Sequence, residues 1–347
     1  MESDRNLWTN SKTSSARGVA IVLLVLLLSS ASQSPSYSQE QKAPRFPIWV
    51  RDKVGYIDRE GRIVVQPVYE DSWGFHEGMA RVRTGDKWGY LDESGRLVIA
   101  MQFDSADEFS EGLALVGVGE KYGYIDKIGR FVIAPQFDEK ADKFINGLAA
   151  VRVNGKYGYI DKSGKLTIPA KFDLAYRFYD GFAPVFDGSK WKYIDREGFV
   201  AFDCPGKYAI SFSDGMAIFE MGDGRRGYID TTGKVVIPPR YFRAMPFAEG
   251  LAAVSTSVDD GYIDKTGKMV IKEQFVFGHQ FSERLAAVRV GDKWGYIDTT
   301  GTMVIKPQFD EAEEFSNGLA EVQIHDGADL KFGYIDRSGK YIWKPTG

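Results

Sequence analysis

The chain has 347 residues, of which 44% are hydrophobic and 27% are charged, and its formal net charge is −4 at pH 7. This composition supports a hydrophobic core and excludes a disordered acidic or basic tail. The nearly neutral charge argues against a nucleic-acid-binding protein, because such proteins carry a basic surface that neutralises phosphates. With one cysteine and three histidines, the chain has no internal disulfide framework, and we expect neither a metal site nor a cofactor.

The first 32 residues have the pattern of a secretory signal peptide. A basic leader precedes the apolar run from Val19 to Leu28, and small residues follow at 29–32. A membrane-spanning helix needs about 20 apolar residues, so this run is short for an anchor. We therefore expect cleavage near residue 32 and a periplasmic or secreted protein. The alternative is an uncleaved signal anchor that holds the protein at the inner membrane through residues 19–31.

The polar, proline-containing residues 33–45 predict a flexible linker, and one motif then repeats nine times over residues 46–347. The string Gly-Tyr-Ile/Leu-Asp recurs about every 34 residues, and one copy carries Lys192 in place of the glycine. The motif tyrosines are Tyr56, Tyr90, Tyr124, Tyr159, Tyr193, Tyr228, Tyr262, Tyr296 and Tyr334. A fixed period of this length is typical of repeat proteins in which neighbouring units bury one another.

Each repeat is predicted to form three β-strands. Asn154-Gly155 separates two apolar runs and favours a two-residue hairpin turn. Gly164 follows the motif aspartate Asp161 by three residues, and this spacing recurs in every repeat; it predicts a second tight turn before a third strand. We expect the glycine before the motif tyrosine to leave room for an aromatic ring of the next repeat.

The fold class is therefore all-β, a tandem array of three-stranded antiparallel meanders. The array has two possible forms, an open, twisted β-superhelix and a closed ring like a β-propeller. Closed propellers usually have about 4 to 8 blades, and the first and last repeats each bring their own strands. We expect the open superhelix, with the closed ring as the alternative.

The repeats resemble those of the WG-repeat family, also called KWG repeats. Three segments carry the resemblance: KWGYLDESGRLVI (87–99), KYGYIDKIGRFVIAPQFDEKADKF (121–144) and KWGYIDTTGTMVIKPQFDEAEEFSNGLAEV (293–322). It implies a bacterial, exported, all-β repeat protein with a binding or scaffold role. It implies no functional residues, because the recurring positions look like the structural signature of the repeat.

Four residues that interrupt the repeat pattern, or lie beside an interruption, are the candidate binding residues. Lys192 replaces the motif glycine, Glu273 the usual proline, and Arg284 the connector glycine; His279 lies between the last two. Drift in a tolerant array explains such interruptions more simply than a binding site does, although binding sites do favour irregular loops.

No catalytic constellation stands out against the repeats. Cys204 has no histidine near it in sequence, so we expect a buried, inert thiol. His76, His279 and His325 lie in different repeats without the spacing of metal ligands. The motif aspartates are expected to cap turns rather than to bind calcium.

We therefore expect a non-enzymatic exported scaffold that binds a protein, a peptide or a cell-envelope glycan. The alternative is a hydrolase that acts on envelope material through a site assembled from different repeats. We expect no nucleic-acid partner, and contact with a membrane only through an uncleaved N-terminal segment.

Overall fold

The computed structural model describes residues 44–327 and 329–346. These residues form 34 β-strands in nine antiparallel sheets. The signal peptide predicted for residues 1–32 lies outside the described residues, as does most of the linker predicted for residues 33–45.

The sheets are numbered 1 to 9 in chain order. Sheet 1 contains β1 (Phe46–Val50), β2 (Lys53–Ile57) and β3 (Ile63–Tyr69). Sheet 2 contains β4 (Asp71–Ser72), β5 (Met79–Thr84), β6 (Lys87–Asp92) and β7 (Leu97–Phe103). Sheet 3 contains β8 (Ser105–Ala106), β9 (Ala114–Val118), β10 (Lys121–Ile125) and β11 (Phe131–Phe137). Sheet 4 contains β12 (Ala149–Val153), β13 (Lys156–Ile160) and β14 (Leu166–Phe172). Sheet 5 contains β15 (Leu174–Ala175), β16 (Ala183–Phe186), β17 (Trp191–Ile194) and β18 (Val200–Asp203).

The remaining sheets have four strands each. Sheet 6 contains β19 (Tyr208–Ser213), β20 (Met216–Glu220), β21 (Arg226–Asp230) and β22 (Val235–Tyr241). Sheet 7 contains β23 (Arg243–Ala244), β24 (Leu251–Ser255), β25 (Asp260–Asp264) and β26 (Met269–Phe275). Sheet 8 contains β27 (Phe277–Gly278), β28 (Leu285–Val290), β29 (Lys293–Asp298) and β30 (Met303–Phe309). Sheet 9 contains β31 (Glu311–Ala312), β32 (Leu319–Asp326), β33 (Asp329–Asp336) and β34 (Tyr341–Thr346).

Every sheet contains the three predicted strands, and most sheets begin with a further short strand that the repeat pattern does not predict. In sheet 2 this strand is β4, where Asp71 pairs with Arg83 and Ser72 with Val82. Two residues give no detectable periodicity, so a strand of this length leaves no signal in the sequence.

A bulge in the third strand accounts for the motif glycine. In sheet 3, Tyr122 pairs with Phe137 and Tyr124 with Ile133, so three residues of β11 lie opposite the single residue Gly123. A Cβ atom placed on Gly123 would lie 2.6 Å from the carbonyl oxygen of Ile133. The expected contact with an aromatic ring of the next repeat is wrong, because the backbone of the sheet's own third strand takes that space.

The motif tyrosine joins each sheet to the next. The side chain of Tyr90 is buried, and its hydroxyl donates to the carbonyl oxygen of Asp107 at 2.7 Å. Its ring packs edge-on against Phe109, with 4.9 Å between centroids. Eight motif tyrosines donate to the backbone in the same way, namely Tyr56, Tyr90, Tyr124, Tyr159, Tyr193, Tyr228, Tyr262 and Tyr296.

Acidic side chains in the turn before the first of the three main strands form another set of bonds between sheets. Glu77 accepts hydrogen bonds from the backbone N–H groups of Glu111 at 2.6 Å and Gly112 at 2.9 Å. Both donors have positive φ and lie in the equivalent turn of the next sheet. Further carboxylates that bind the next turn are Glu111, Asp180, Asp214, Glu249 and Glu283.

The last sheet packs against the first. Phe46 and Ile48 of β1 share a buried cluster with Leu319 and Tyr334 of sheet 9, and the rings of Phe46 and Tyr334 are 5.5 Å apart. The nine sheets are therefore the blades of a closed β-propeller, and each keeps its number as a blade. The open superhelix expected from the sequence is wrong, and the closed ring given as its alternative is confirmed. Closure uses side-chain packing, so it does not require the two ends to share a blade.

Candidate functional site

A groove of about 370 Å³ opens between blade 5 and blade 6. It is lined by Leu174, Phe186, Ser189, Lys190, Trp191, Gly206, Lys207 and Tyr208. This volume is near the lower end of the range for small-molecule sites, which is about 300–1,000 Å³. The groove therefore has the dimensions of a ligand site.

The groove lies where blade 5 loses the bulge that the other blades have opposite the motif glycine, although it keeps the register shift between Tyr193 and Ile194. Lys192 pairs with Asp203 and Tyr193 with Phe202 without an interruption between them. Strand β18 has four residues, whereas the third strand has seven in most other blades. Without the bulge no backbone approaches position 192, so lysine fits there in place of glycine.

Buried Cys204 lies in the chain that leaves this shortened strand. Its sulfur accepts a hydrogen bond from the backbone N–H of Gly206 at 3.4 Å. Burial raises the pKa of the Cys204 thiol to about 11, so the thiol stays protonated at neutral pH and is a poor nucleophile.

Lys207 reverses a charge that recurs in the regular blades. In blade 2, Nζ of Lys87 lies 2.5 Å from Oδ1 of Asp104. The same pair forms between Lys121 and Asp138, Lys156 and Asp173, and Lys293 and Asp310. Lys207 occupies the backbone position of that aspartate, because its N–H donates to Glu220 as the N–H of Asp104 donates to Gly117.

The two lysines of the groove differ in their partners. Nζ of Lys190 lies 2.5 Å from Oδ2 of Asp203. Lys207 forms no ion pair with any residue in the described part of the chain, and its Nζ lies 5.2 Å from the ring centre of Tyr208. The groove therefore presents a cation, Lys207, without a neutralising carboxylate.

Aromatic side chains form the apolar part of the groove. The ring of Trp191 is nearly parallel to that of Tyr176, with 5.5 Å between centroids and an interplanar angle of 7°. Trp191 is 6% exposed, whereas Tyr176 is 48% and Tyr208 46% exposed. The buried tryptophan supports the stack, and the two tyrosines offer ring surface to solvent.

Lys192 and Glu273, two of the residues predicted from the sequence, form local contacts. Half-buried Lys192 makes an ion pair with Asp187 that raises the pKa of its ammonium group. The carboxylate of Glu273 accepts hydrogen bonds from the N–H of Thr256 at 2.6 Å and from its hydroxyl at 2.8 Å. Each side chain therefore has a structural role in its own blade.

The other two predicted residues lie in blade 8. The ring of His279 is 4.6 Å from that of Trp294, and burial lowers the pKa of His279. Arg284 is exposed with φ of +66°, and its N–H donates to Glu249 at 2.9 Å. The four candidates are spread over blades 5, 7 and 8, so they do not form one site, and their role in binding stays a prediction.

The sequence reading missed the residues that line the groove, although the repeat contains a signal for one of them. Lys207 follows the motif tyrosine of its repeat, Tyr193, by 14 residues. The residue at that spacing is aspartate in four other repeats, at positions 104, 138, 173 and 310. Comparison of charge at equivalent repeat positions would therefore have identified Lys207.

A second polar cluster joins blades 8 and 9. Tyr334 donates its hydroxyl to Oε2 of Glu321 at 3.1 Å, instead of to the next blade's backbone. Burial raises the pKa of Glu321, and the nearby charge of Glu313 raises it further. The charge of Glu313 also acts on His279. The cluster thus brings acidic groups from one blade close to the imidazole of another.

Within residues 44–327 and 329–346, no three His, Cys, Asp or Glu side chains are grouped so that they could hold a metal ion. The same residues contain no helix with the length and hydrophobicity needed to cross a bilayer.

The family assignment follows from the repeats themselves. The sequence model of the WG containing repeat matches residues 55–88, 88–122, 122–157, 157–191, 227–256, 261–294 and 294–327. The chain belongs to the WG-repeat family. The matches stop at residue 191 and resume at residue 227, so three residues that line the groove of this WG-repeat protein, Gly206, Lys207 and Tyr208, lie where its repeats depart from the family pattern.

Several solved structures are similar to this WG-repeat protein at low sequence identity, whereas no curated protein matches its sequence. Dihydro-heme d1 dehydrogenase NirN is 13% identical, with a TM-score of 0.46 and coverage of 88% of this chain and 75% of its own. Citrobacter koseri AztD is 15% identical, with a TM-score of 0.43 and coverage of 88% and 94%. BamB from Moraxella catarrhalis is 14% identical, with a TM-score of 0.40 and coverage of 85% and 91%. At these TM-scores we draw no functional conclusion from the similarity.

Proposed function

We propose that this WG-repeat protein is a non-enzymatic binding scaffold whose ligand site is the groove between blades 5 and 6. The observation that carries the proposal is Lys207, a cation without an ion pair among the described residues, at a position where regular blades place an aspartate. Beside it, Tyr208 exposes aromatic surface, and the exposed ring of Tyr176 stacks on Trp191, which lines the groove. A ligand with an anionic group and an apolar face is complementary to both features.

The partner is a protein, a peptide or a glycan of the cell envelope. This part of the proposal rests on the leader at residues 1–32, which predicts a periplasmic or secreted protein, or one anchored through residues 19–31. Amino-terminal sequencing of the protein from a Gram-negative host tests the location. A new N-terminus near residue 32 supports export, and an intact leader on cytoplasmic protein contradicts it.

Retention of envelope material by the immobilised protein tests the binding site. The wild type is compared with Lys207→Asp, which restores the charge of the regular blades, and with Lys272→Asp, an equal charge change at an exposed position of β26. We expect Lys207→Asp to lose the retained material and Lys272→Asp to keep it. Equal retention by all three proteins contradicts the assignment of the groove.

A hydrolase acting on envelope material is the second candidate function, and the cluster around Glu321 favours it. The pKa of Glu321 is raised, and the charge of Glu313 contributes to this. In glycosidases, the pKa of one carboxyl group of the catalytic pair is likewise raised so that it can act as the acid. Release of reducing ends from envelope glycans would be measured for the wild type, Glu321→Gln and Glu313→Gln. Activity that either substitution abolishes supports the hydrolase, and activity unchanged by both excludes this site.

A further inference from the structure

The side chains that line the groove mostly donate hydrogen bonds. Lys190 and Lys207 are donors only, whereas the hydroxyl of Ser189 gives its proton to Asp187 at 2.6 Å and can therefore only accept from a ligand. None of the eight lining residues has a carboxylate or an amide side chain. The groove is therefore matched to a ligand rich in acceptor oxygens.

This donor excess favours a sugar over a peptide. Each peptide residue other than proline brings an N–H group, and an N–H group that is buried without an acceptor costs free energy. Sugar hydroxyls both donate and accept, so they fit a surface that offers mainly N–H and O–H donors.

The exposed rings fit the same type of ligand. The C–H groups on one side of a pyranose ring form a flat apolar surface, and the face of an aromatic ring attracts their partial positive charge. Tyr208 is 46% exposed beside the two lysines, and Tyr176 lies flat on Trp191. A ring-shaped unit can therefore lie against an aromatic side chain while its charged substituent reaches Lys207.

The size of the groove limits how much of a partner it can hold. Its volume is about 370 Å³, near the lower end of the range of about 300–1,000 Å³ for small-molecule sites. The groove is suited to one or two sugar units rather than to the surface of a folded protein.

We propose that the groove binds an anionic sugar unit of a glycan, with its carboxylate or phosphate on Lys207 and its ring against the exposed ring of Tyr208. This proposal rests on the binding role proposed above and specifies the ligand of that site. Carboxylate and phosphate share the chemistry that Lys207 recognises, so the experiment includes both.

Isothermal titration of the purified full chain tests the ligand class. The probes are trigalacturonate, glucose 6-phosphate, neutral maltotriose and the acidic peptide Glu-Tyr-Glu. We expect at least one anionic sugar to bind roughly tenfold or more tightly than maltotriose and the peptide. Maltotriose has no charged group for Lys207, and the peptide would leave N–H groups without acceptors. Added salt should weaken the binding.

The same titration is repeated with variants that separate charge from fold. Lys207→Asp and Lys207→Gln should each lower the affinity for the anionic sugar by roughly tenfold or more, and Tyr208→Ala should lower this affinity as well. Lys272→Asp should leave the affinity unchanged. Circular dichroism and the urea midpoint of each variant establish that the fold is kept.

Two results would overturn the proposal in distinguishable ways. The sugar assignment is wrong, and the groove remains the binding site, in either of two cases. In the first, the peptide binds as tightly as the sugars. In the second, no probe binds, but Lys207→Asp still abolishes retention of envelope material. If no probe binds and Lys207→Asp leaves that retention unchanged, both the sugar assignment and the proposed binding site are wrong.

Discussion

Gly61 in blade 1 packs directly against Ile342 in blade 9. A Cβ atom placed on Gly61 would lie 2.4 Å from the carbonyl oxygen of Ile342. The equivalent glycine of blade 3, Gly129, has the side chain of Ile99 from blade 2 as its nearest neighbour. The turn glycine of blade 1 thus contacts blade 9, just as the turn glycine of blade 3 contacts the blade before it. This contact is expected of a closed ring.

Substitution of Gly61 tests this contact. Gly155 is the matched control, because both glycines have φ of +79° and Gly155 has no neighbour within 4 Å of an added Cβ atom. Gly155→Ala should lower the free energy of unfolding by about 1 kcal/mol, the cost of a left-handed alanine. Gly61→Ala should cost about 1–3 kcal/mol more because of the clash. Urea unfolding measures both, and equal losses would mean that blades 1 and 9 do not touch.

Replacement of the motif glycine tests the role of the bulge. A Cβ atom on Gly158 would lie 2.6 Å from the carbonyl oxygen of Ile168, so Gly158→Ala should destabilise the protein by about 2–3 kcal/mol. Lys192→Gly should cost only about 1 kcal/mol, because blade 5 has no bulge opposite position 192 and a glycine in a strand is mildly unfavourable. Similar losses in thermal unfolding would contradict the explanation given for Lys192.

Arg284→Gly should stabilise the protein. Arg284 has φ of +66° at the position where other blades have the connector glycine, and a left-handed conformation costs a non-glycine residue about 1 kcal/mol. Its backbone N–H group, which binds Glu249, is kept in the variant. A rise of about 1 kcal/mol in the free energy of unfolding is expected from urea titration. A fall instead would indicate that the arginine side chain contributes a stabilising contact.

Stability should fall in acid because the turn aspartates are held ionised. A hydrogen bond from the Thr300 hydroxyl at 2.6 Å lowers the pKa of Asp298, with help from backbone N–H groups. Lys143 lowers the pKa of Glu108 to about 2, although burial alone would raise it. A lowered pKa in the folded state gives stability that is present above the unfolded value, near 4, and is lost as the pH falls through the folded value.

Urea unfolding at pH 7, 5 and 3 measures this dependence. The urea midpoint should be similar at pH 7 and pH 5 and should drop clearly at pH 3. Asp298→Asn should reduce the drop, because the amide does not titrate. A midpoint that is unchanged at pH 3 would show that these carboxylates are not better stabilised in the folded protein than in the unfolded chain.

Much of each blade could be predicted from the sequence because its signals are local. Asn154-Gly155 specifies a hairpin between β12 and β13, and Asp161 with Gly164 specifies the turn before β14. The bulge opposite Gly123 was not predicted, because extra residues in one strand become visible only when the pairing register is known.

Ring closure and the groove depend on the positions of several blades at once. Small rotations between neighbouring blades decide whether nine blades close into a ring, and no single residue encodes these rotations. The contact between Gly61 and Ile342 is a consequence of the closure. The groove combines Lys190 of blade 5 with Lys207 and Tyr208 at the start of blade 6. The group is therefore visible only when the positions of both blades are known.

The closed ring is tested most directly by the distance between its two ends. The rings of Trp49 and Phe332 are 5.7 Å apart, and exposed Arg51 and Leu330 each lie two residues from this contact. Spin labels at Arg51→Cys and Leu330→Cys, in a Cys204→Ala background, should lie within roughly 20 Å, since two strand residues span about 7 Å. An open array of nine sheets, stacked about 10 Å apart, would separate them by roughly 80 Å. A short distance by electron–electron double resonance is the predicted result, and a long one would contradict the closed propeller.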